Sequence, residues 1–491
     1  MQNKQVIIIG AGLSGLVCAY RLQSLGVDCL LLEKSSQVGG VIQSKRIDEY
    51  LIERGPNSAQ GTPELLALVE EAGISGELVE GNPKAPAYVY FNKQLRAVPM
   101  SPPALVKSDL LSLGGKLRLL GEPFIGKREA DSEESVYNFI QRRLGVEIAE
   151  RLVAPLVSGI YAGDEKNLSI QAAFPMLANL ESGYGSLFRG AIRKAKEAKR
   201  AKASAQANGQ AEAKPERRRS ISFREGMQTL ATTLTAKLGD KVLRNAEIVS
   251  LAFAPSLDQR FTVQVNQSGN LREIACDHLV IATPSLAAAS LIKAVQFPEA
   301  SANLLSLAEE ISSLLVEIDY PPLTILYLAY DRAAIRHSLD GFGFLAVPQE
   351  QVSILGCIFN SSQFPNRAPE GKALFTIFIG GARHPELAAL PDDVLAAKAH
   401  ADLQNILGIA SAPQLLATTR WQRAIPQYNI GHAARVHRLE SLTNQLNGLH
   451  LSGNYLHGVS VGDCVKAADS LALMLYQSLG EGLEISKEKT A

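Results

Sequence analysis

Apolar residues recur along this chain in three rhythms. The first is the short continuous run. Val6-Ile7-Ile8-Ile9 and Cys29-Leu30-Leu31-Leu32 are uninterrupted apolar segments, the pattern of strands buried on both faces. Between them residues 16–25 have helical spacing, so the chain opens as strand, helix, strand. The second rhythm places Leu and Ala among Arg and Glu at helical spacing, over residues 110–120, 134–144 and 146–156. It predicts a helical insertion spanning residues 99–219. The third alternates β-like runs with turns. Residues 323–330, 342–347, 354–359 and 374–379 read as neighbouring antiparallel strands whose apolar face roofs a pocket. A smaller β-like set, 246–253, 261–265 and 278–281, follows an amphipathic helix that opens near Gly226 and runs to about residue 238.

The turn after the first strand carries chemistry. Gly10-Ala11-Gly12-Leu13-Ser14-Gly15 joins strand to helix, and Glu33 ends the second strand eighteen residues after Gly15. This is a dinucleotide fingerprint in its proper βαβ setting. Gly10 permits the turn, Gly12 lets backbone approach a pyrophosphate, and Gly15 lets helix lie on strand. The helix N-terminus favours phosphate, and Glu33 can accept from an adenosine ribose. Lys34 and then Gly39-Gly40 follow, a second close-approach turn typical of flavoproteins and uncommon in NAD dehydrogenases. Gly55-Pro56-Asn57-Ser58 is another rigid turn. Residues 449–454 read as a short strand ending in Gly453-Asn454, leading through Gly458-Val459-Ser460-Val461-Gly462 into a helix over 463–475. Two glycine-lined helix N-termini point to FAD, held non-covalently because no flavin-linking Cys or His stands out.

Composition removes several alternatives. The 491 residues balance 49 Lys and Arg against 49 Asp and Glu, so no global field favours nucleic acid. Five scattered cysteines read as reduced thiols, and the eight histidines lack metal-ligand spacing. Residues 312–330 come closest to a membrane span, but Glu317, Asp319 and Pro321-Pro322 interrupt them. The chain opens directly on its first strand, so no leader is expected and an intracellular place, with any membrane contact peripheral, is predicted. Residues 192–219 are rich in Ala, Lys and Arg, and 198–216 read as a solvated loop. No acyl-transfer or hydrolytic constellation appears. Leu323, Leu339, Phe342, Leu345, Phe359 and Phe378 are core candidates singly, and collectively suit a large, flat, apolar substrate.

The blocks GAGLSGL, GPNS, GFGFLAVP, ILGCIFNSSQFPNRAPEG, FTIFIGGAR and GNYLHGVSVGDC resemble the oxygen-dependent protoporphyrinogen oxidases, most of all their plant-type branch. The resemblance runs from residue 5 to about 479. It implies an α/β multidomain fold: a two-dinucleotide-binding, Rossmann-like FAD domain (1–84, 220–284, 417–480), a mostly antiparallel substrate domain (85–98, 285–416), the helical membrane-binding insertion and a tail (481–491). It implies oxidation of the tetrapyrrole protoporphyrinogen IX, with O2 reduced to H2O2, by a peripheral membrane homodimer. By position, FAD contacts fall on Gly10 to Gly15, Glu33, Lys34, Gly55 to Ser58, Ile248, Asn454 and Val459 to Val461. Phe342, Leu345 and Phe378 match cavity positions; Leu323, Leu339 and Phe359 match residues that sandwich the tetrapyrrole, and Gly159 one whose carbonyl approaches its pyrrole nitrogens. Many relatives carry a propionate-pairing arginine where Ala87 stands, which leaves Lys84, Lys93 or Arg96 as substitutes. The rivals are oxidation of coproporphyrinogen III, a flavin amine oxidase, and a non-catalytic FAD-binding scaffold.

Overall fold

The computed structural model describes residues 2–128, 132–207, 219–255, 259–298 and 302–490. Two sheets and a helical layer account for most of it. In the first sheet, Gln2–Ile9 lies between Cys29–Leu32 and Asn270–Ile281, parallel to both. Val242–Leu243 extends the parallel set on one side and Leu449–Leu451 on the other. The lower half of Asn270–Ile281 pairs instead with Phe261–Gln267, antiparallel, which pairs with Ala246–Phe253. Segments from the start, middle and end of the chain thus share one sheet, as the distribution of motifs predicts.

Both faces of that sheet are covered, which is why its central strands are apolar throughout. Val6, Ile8, Cys29 and Leu31 pack beneath the fingerprint helix Leu13–Ser24 and the terminal helix Val461–Thr490. Ile7, Ile9, Leu30 and Leu32 face the opposite core. The terminal helix continues through the stretch expected as a tail from residue 481.

The second sheet runs in the order Gln414–Trp421, Leu323–Asp331, Lys372–Gly380, Gly356–Phe359, Gly343–Ala346, Ala87–Phe91 and Gln94–Ala97. The four strands predicted from the β-like runs are antiparallel neighbours; Gly343–Ala346 then pairs in parallel with Ala87–Phe91. One face is closed by the helix Asp392–Leu407, over Leu326, Phe344, Phe359, Phe375 and Ile377. The other packs Ile325, Tyr327 and Leu374 against Tyr50 and Ile52, on the strand that leads into the Gly55–Ser58 turn.

The described residues between 99 and 207 are mostly helical, with two departures from the expected pattern. Residues 146–161 form one continuous rod in which Ala149–Val153 is a π-turn. Pro155 has no N–H to continue the ladder, and the wider turn before it accommodates its ring. Helix Leu187–Ala207 overruns the predicted 198–216 loop: Ala, Lys and Arg are strong helix formers, and solvated charge does not oppose them. Residues 208–216 of that loop lie outside the described residues. The layer's interior holds a charged network. Arg143 and Glu122 are fully buried, and Arg143 also pairs with Glu181 at 2.6 Å. Among the described residues, no helix is long and apolar enough to cross a membrane.

His278 and His450 sit on adjacent strands with ring nitrogens 3.1 Å apart. Burial, with Arg260 adding, pushes His278 down to about 4; burial and His278 push His450 down to about 3. Both are therefore neutral in the fold, while the unfolded chain takes up protons below about pH 6.5. The stability they leave intact above that pH is lost as pH falls toward their folded values. The expected cost is about 2 kcal/mol per histidine between neutral pH and pH 5. Urea melts across that range should show this loss, with a shallower slope in His450→Gln.

Candidate functional site

The fingerprint turn is built by two glycines that the protein itself requires and one that it does not. Gly10 has φ of +105°, and a β-carbon there would lie 2.8 Å from the Ala282 carbonyl oxygen. A β-carbon on Gly15 would overlap the Gly10 carbonyl. At Gly12 a β-carbon would meet nothing within 4 Å. No protein contact keeps position 12 bare, so its open side fits a group brought from outside. The Gly39–Gly40 turn crosses it: the Gly39 N–H donates to the Ala11 carbonyl at 2.7 Å, and a β-carbon on Gly40 would stand 3.2 Å from the Gly12 α-carbon.

Glu33 stands at the same opening. Its carboxylate accepts from the Ala11 N–H and the Ser35 N–H, both at 2.8 Å. The acid therefore braces the glycine turn. Lys34 points outward and pairs with Glu247 at 2.8 Å, so its ammonium is engaged away from the turn. Ile248 is half-buried on the next strand position, at a bulge between 248 and 250.

The far end of the chain reaches the same place. The thiol of Cys464 contacts the Ser14 hydroxyl, Arg21 pairs with Asp469, and a β-carbon on Gly462 would press on Thr62 at 2.7 Å. Ser460 caps the terminal helix: its hydroxyl accepts from the Asp463 N–H at 3.1 Å and donates to that carboxylate at 2.6 Å. Leu13 and Ser14 are buried, while Asn454, Val459 and Val461 are half-exposed and Ser460 exposed. Gly55 lies so close to the Val41 carbonyl that no side chain fits. Beyond it and Pro56, Asn57 accepts from the Asn360 amide at 2.9 Å, and Ser58 accepts from Ser220 at 3.0 Å. The turn predicted to contact flavin is thereby tied to the second sheet.

On that sheet, cross-strand partners put Leu345, Gly356, Phe378 and Ile325 in one row on the face toward the flavin turn. Leu323 shares that face, and Phe342 is half-buried just ahead of Gly343. Gly159, exposed on the helix Ala154–Tyr161, would strike Leu345 at 2.9 Å if it bore a β-carbon. The structure thus gathers Gly159, Leu323, Leu345 and Phe378 on one side, with Phe342 beside them.

Leu339 and Phe359 are a correction. They lie on the opposite face, 2 % and 0 % exposed, in the core under helix Asp392–Leu407. Phe359 is enclosed by Phe344, Phe375 and His337. Side chains alternate along a strand, and Phe359 falls on the parity opposite to Gly356 and Ile358, while Leu339 precedes the strand Gly343–Ala346 and turns inward at φ of +55°. Ala87 pairs with Gly343 beside Phe342. Of its suggested substitutes, Arg96 is paired with Asp109 and lies over the Phe91 ring, whereas Lys84 and Lys93 are exposed.

Two residues escaped sequence reasoning. Arg383 bonds the Ser158 hydroxyl and Glu165, next to Gly159, so its charge is neutralised within the protein. Tyr428 contacts the 454–458 loop through its hydroxyl. Arg383 ends the FTIFIGGAR block but its pairing with Ser158 and Glu165 leaves no local sign, and Tyr428 lies in no motif.

Comparison with known proteins agrees with this geometry. Residues 13–472 match the family described as flavin containing amine oxidoreductase. The chain is 33 % identical to the chloroplastic protoporphyrinogen oxidase of Nicotiana tabacum, covering 95 % of this chain and 84 % of the relative. It is 28 % identical to the coproporphyrinogen III oxidase of Bacillus subtilis, covering 96 % and 98 %. A crystal structure from Exiguobacterium sp. 255-15, provisionally assigned as a protoporphyrinogen oxidase, superposes with a TM-score of 0.75 at 23 % identity, over 97 % and 99 % of the two chains, a likeness of fold. The protein is a flavin oxidoreductase of the flavin-containing amine oxidoreductase family, with FAD as its cofactor. Within that family the chain belongs to the protoporphyrinogen oxidases.

A β-carbon at position 12 meets no protein atom within 4 Å, so Gly12→Val should abolish FAD retention while leaving the fold intact by circular dichroism. Glu33→Ala should weaken FAD by about 1–3 kcal/mol, the scale of a hydrogen bond to a charged acceptor. Flavin released on denaturation, measured per mole of protein, checks both.

Proposed function

We propose that this protein oxidises protoporphyrinogen IX to protoporphyrin IX, with three O2 reduced to three H2O2. The observations that support the reading are the open glycine turn and the apolar row Leu345–Phe378, which lies beside Gly159 on the sheet face that packs Tyr50 and Ile52. FAD would be held by Gly10 to Gly15, Glu33, Gly55 to Ser58, the backbone near Ile248, Asn454 and Val459 to Val461. Bound there, it supplies the hydride acceptor, so the protein needs no acid or base of its own. The chain's residues then have positional work. Leu323, Phe342, Leu345 and Phe378 exclude water and present a flat apolar wall, and the exposed Gly159 backbone offers a carbonyl to pyrrole N–H groups.

The test is steady-state oxidation of protoporphyrinogen IX against coproporphyrinogen III, following porphyrin fluorescence and H2O2. A higher kcat/KM for protoporphyrinogen and three H2O2 per porphyrin are expected. A clear preference for the four-propionate substrate assigns the protein to coproporphyrinogen oxidation instead.

Membrane association forms part of the proposal. Helix Leu113–Leu120 turns Leu113, Leu117 and Leu120 outward, 76, 61 and 67 % exposed, and Phe124 follows at 84 %. The spacing puts them on one face, over a layer whose own core is complete without them. Lys107, Lys116, Arg193 and Lys196 are at least partly exposed in the same layer; Arg118 is occupied by the Arg142 and Arg143 carbonyls. Apolar insertion aided by cations gives binding that salt only partly reverses. Wild-type protein should float with anionic liposomes, and the Leu113→Ser, Leu117→Ser, Phe124→Ser triple variant should remain at the bottom of the gradient. A wild type that does not float even at low salt refutes this part. A homodimer is the expected assembly, to be read from light scattering.

A further inference from the structure

Tyr428 is 1 % exposed, and its hydroxyl makes two hydrogen bonds to the same loop. It donates to the Asn454 carbonyl at 2.7 Å and accepts from the Gly458 N–H at 2.8 Å. The hydroxyl closes the loop 454–458 as a clasp does, at the last turn before Val459–Val461 and the terminal helix. Gly458 has φ of +152°, and a β-carbon there would collide with Asp463. The loop therefore has a demanding conformation, stabilised from outside by one phenol.

The phenol is itself fixed. His432 stacks on its ring, with centroids 4.1 Å apart and planes 11° from parallel. Burial and Arg435 push His432 down to about 4, so it stacks as a neutral ring. Tyr161 packs on the other side at 5.8 Å, and the Tyr428 carbonyl accepts from the Ser169 N–H at 2.8 Å. Tyr161 closes the helix that carries Gly159, and Ser169 belongs to the same helical layer. Tyr428 thus touches both the loop that borders the flavin end of the cofactor site and the layer that carries Gly159.

We propose that Tyr428 is a positioning residue for the flavin: it sets the 454–461 backbone against the cofactor, and His432 keeps its ring in register. The inference rests on the placement of FAD beside Asn454 and Val459–Val461. Tyr428→Phe keeps the ring, the stack and the packing but leaves the Gly458 N–H and the Asn454 carbonyl without this partner. The loop can then relax, and the cost falls on cofactor geometry.

The experiment uses the FAD-loaded, full-length protein. In Tyr428→Phe, FAD affinity should weaken about tenfold, the scale of one lost hydrogen bond. The flavin's visible absorption bands should shift, and kcat should fall several-fold with the KM for the porphyrinogen nearly unchanged. His432→Phe, which preserves a stacked ring, should keep the wild-type flavin spectrum, and His432→Ala should lie between the two. A Tyr428→Phe protein that melts earlier but retains FAD affinity, spectrum and kcat makes Tyr428 merely structural and overturns the proposal. If Tyr428→Phe does not fold, the His432 pair decides: identical flavin spectra in Phe and Ala variants also overturn it. Loss of FAD in Gly12→Val with an unaltered Tyr428→Phe would leave the cofactor site standing while removing this role.

Discussion

A buried acid–base contact ties the hairpin strand Tyr50–Glu53, which leads into the Gly55–Ser58 turn, to the loop ahead of the second sheet's strand Lys372–Gly380. Glu53 and Arg367 are each 1 % exposed and lie 3.6 Å apart. The Glu53 carboxylate accepts from the Ser44 hydroxyl at 2.6 Å and the Met227 N–H at 2.9 Å. Burial pushes its carboxyl up to about 7, against the pull of those donors and of Arg367. Arg367 in turn donates to the Ser222 hydroxyl at 2.6 Å. Losing either partner strands the other without water, which typically costs 3–5 kcal/mol. The consequence is local to the chemistry, because Gly55-Pro56-Asn57-Ser58 begins two residues later. Tyr327 of the second sheet binds the Glu53 carbonyl at 2.7 Å, and Trp421 binds the Arg54 carbonyl at 2.9 Å. Gly226 is bare because a β-carbon would intrude on both Ser44 and Glu53. The Gly55–Ser58 turn is therefore carried by the hairpin of Ser44–Ile47 and Tyr50–Glu53 but gripped by the second sheet.

The helical layer solves a different problem. Its interior pairs Arg142 and Arg143 with Glu122, Glu134 and Glu181, so polar groups stabilise a small core where apolar residues would ordinarily serve. Glu122 receives the Ser186 hydroxyl and the Leu187 N–H at 2.5 and 2.8 Å, which satisfies its oxygens. The leucines and Phe124 left outside that core are thereby free to meet a second apolar phase.

Much of this was legible in the sequence for a physical reason: it is written locally. A continuous apolar run such as Val6–Ile9, and glycines whose positions are forced by backbone contact, leave marks within a few residues. So the strands Cys29–Leu32 and Ala246–Phe253 appear with the predicted bounds, and the two ends of the chain converge on one sheet. What depends on strand parity was less legible. Leu339 and Phe359 have the composition of pocket residues, but φ of +55° at Leu339 and the register of Phe359 with Phe375 turn them into the other core. Tyr428 with the 454–458 loop, Arg383 with Ser158 and Glu165, and Glu53 with Arg367 join positions that are not neighbours in the chain, and nothing within a few residues of either partner shows that they meet. The helix through Ala207 was missed because low complexity was read as disorder, although its residues favour helix.

The most direct measurement is a crystal structure of the FAD-loaded protein with a porphyrin or a non-oxidisable tetrapyrrole analogue. The account predicts pyrophosphate density over Gly12, and a macrocycle against Leu345 and Phe378 with Gly159 at its centre. A macrocycle packed on Leu339 and Phe359, or FAD bound away from the Gly10–Gly15 turn, would contradict it.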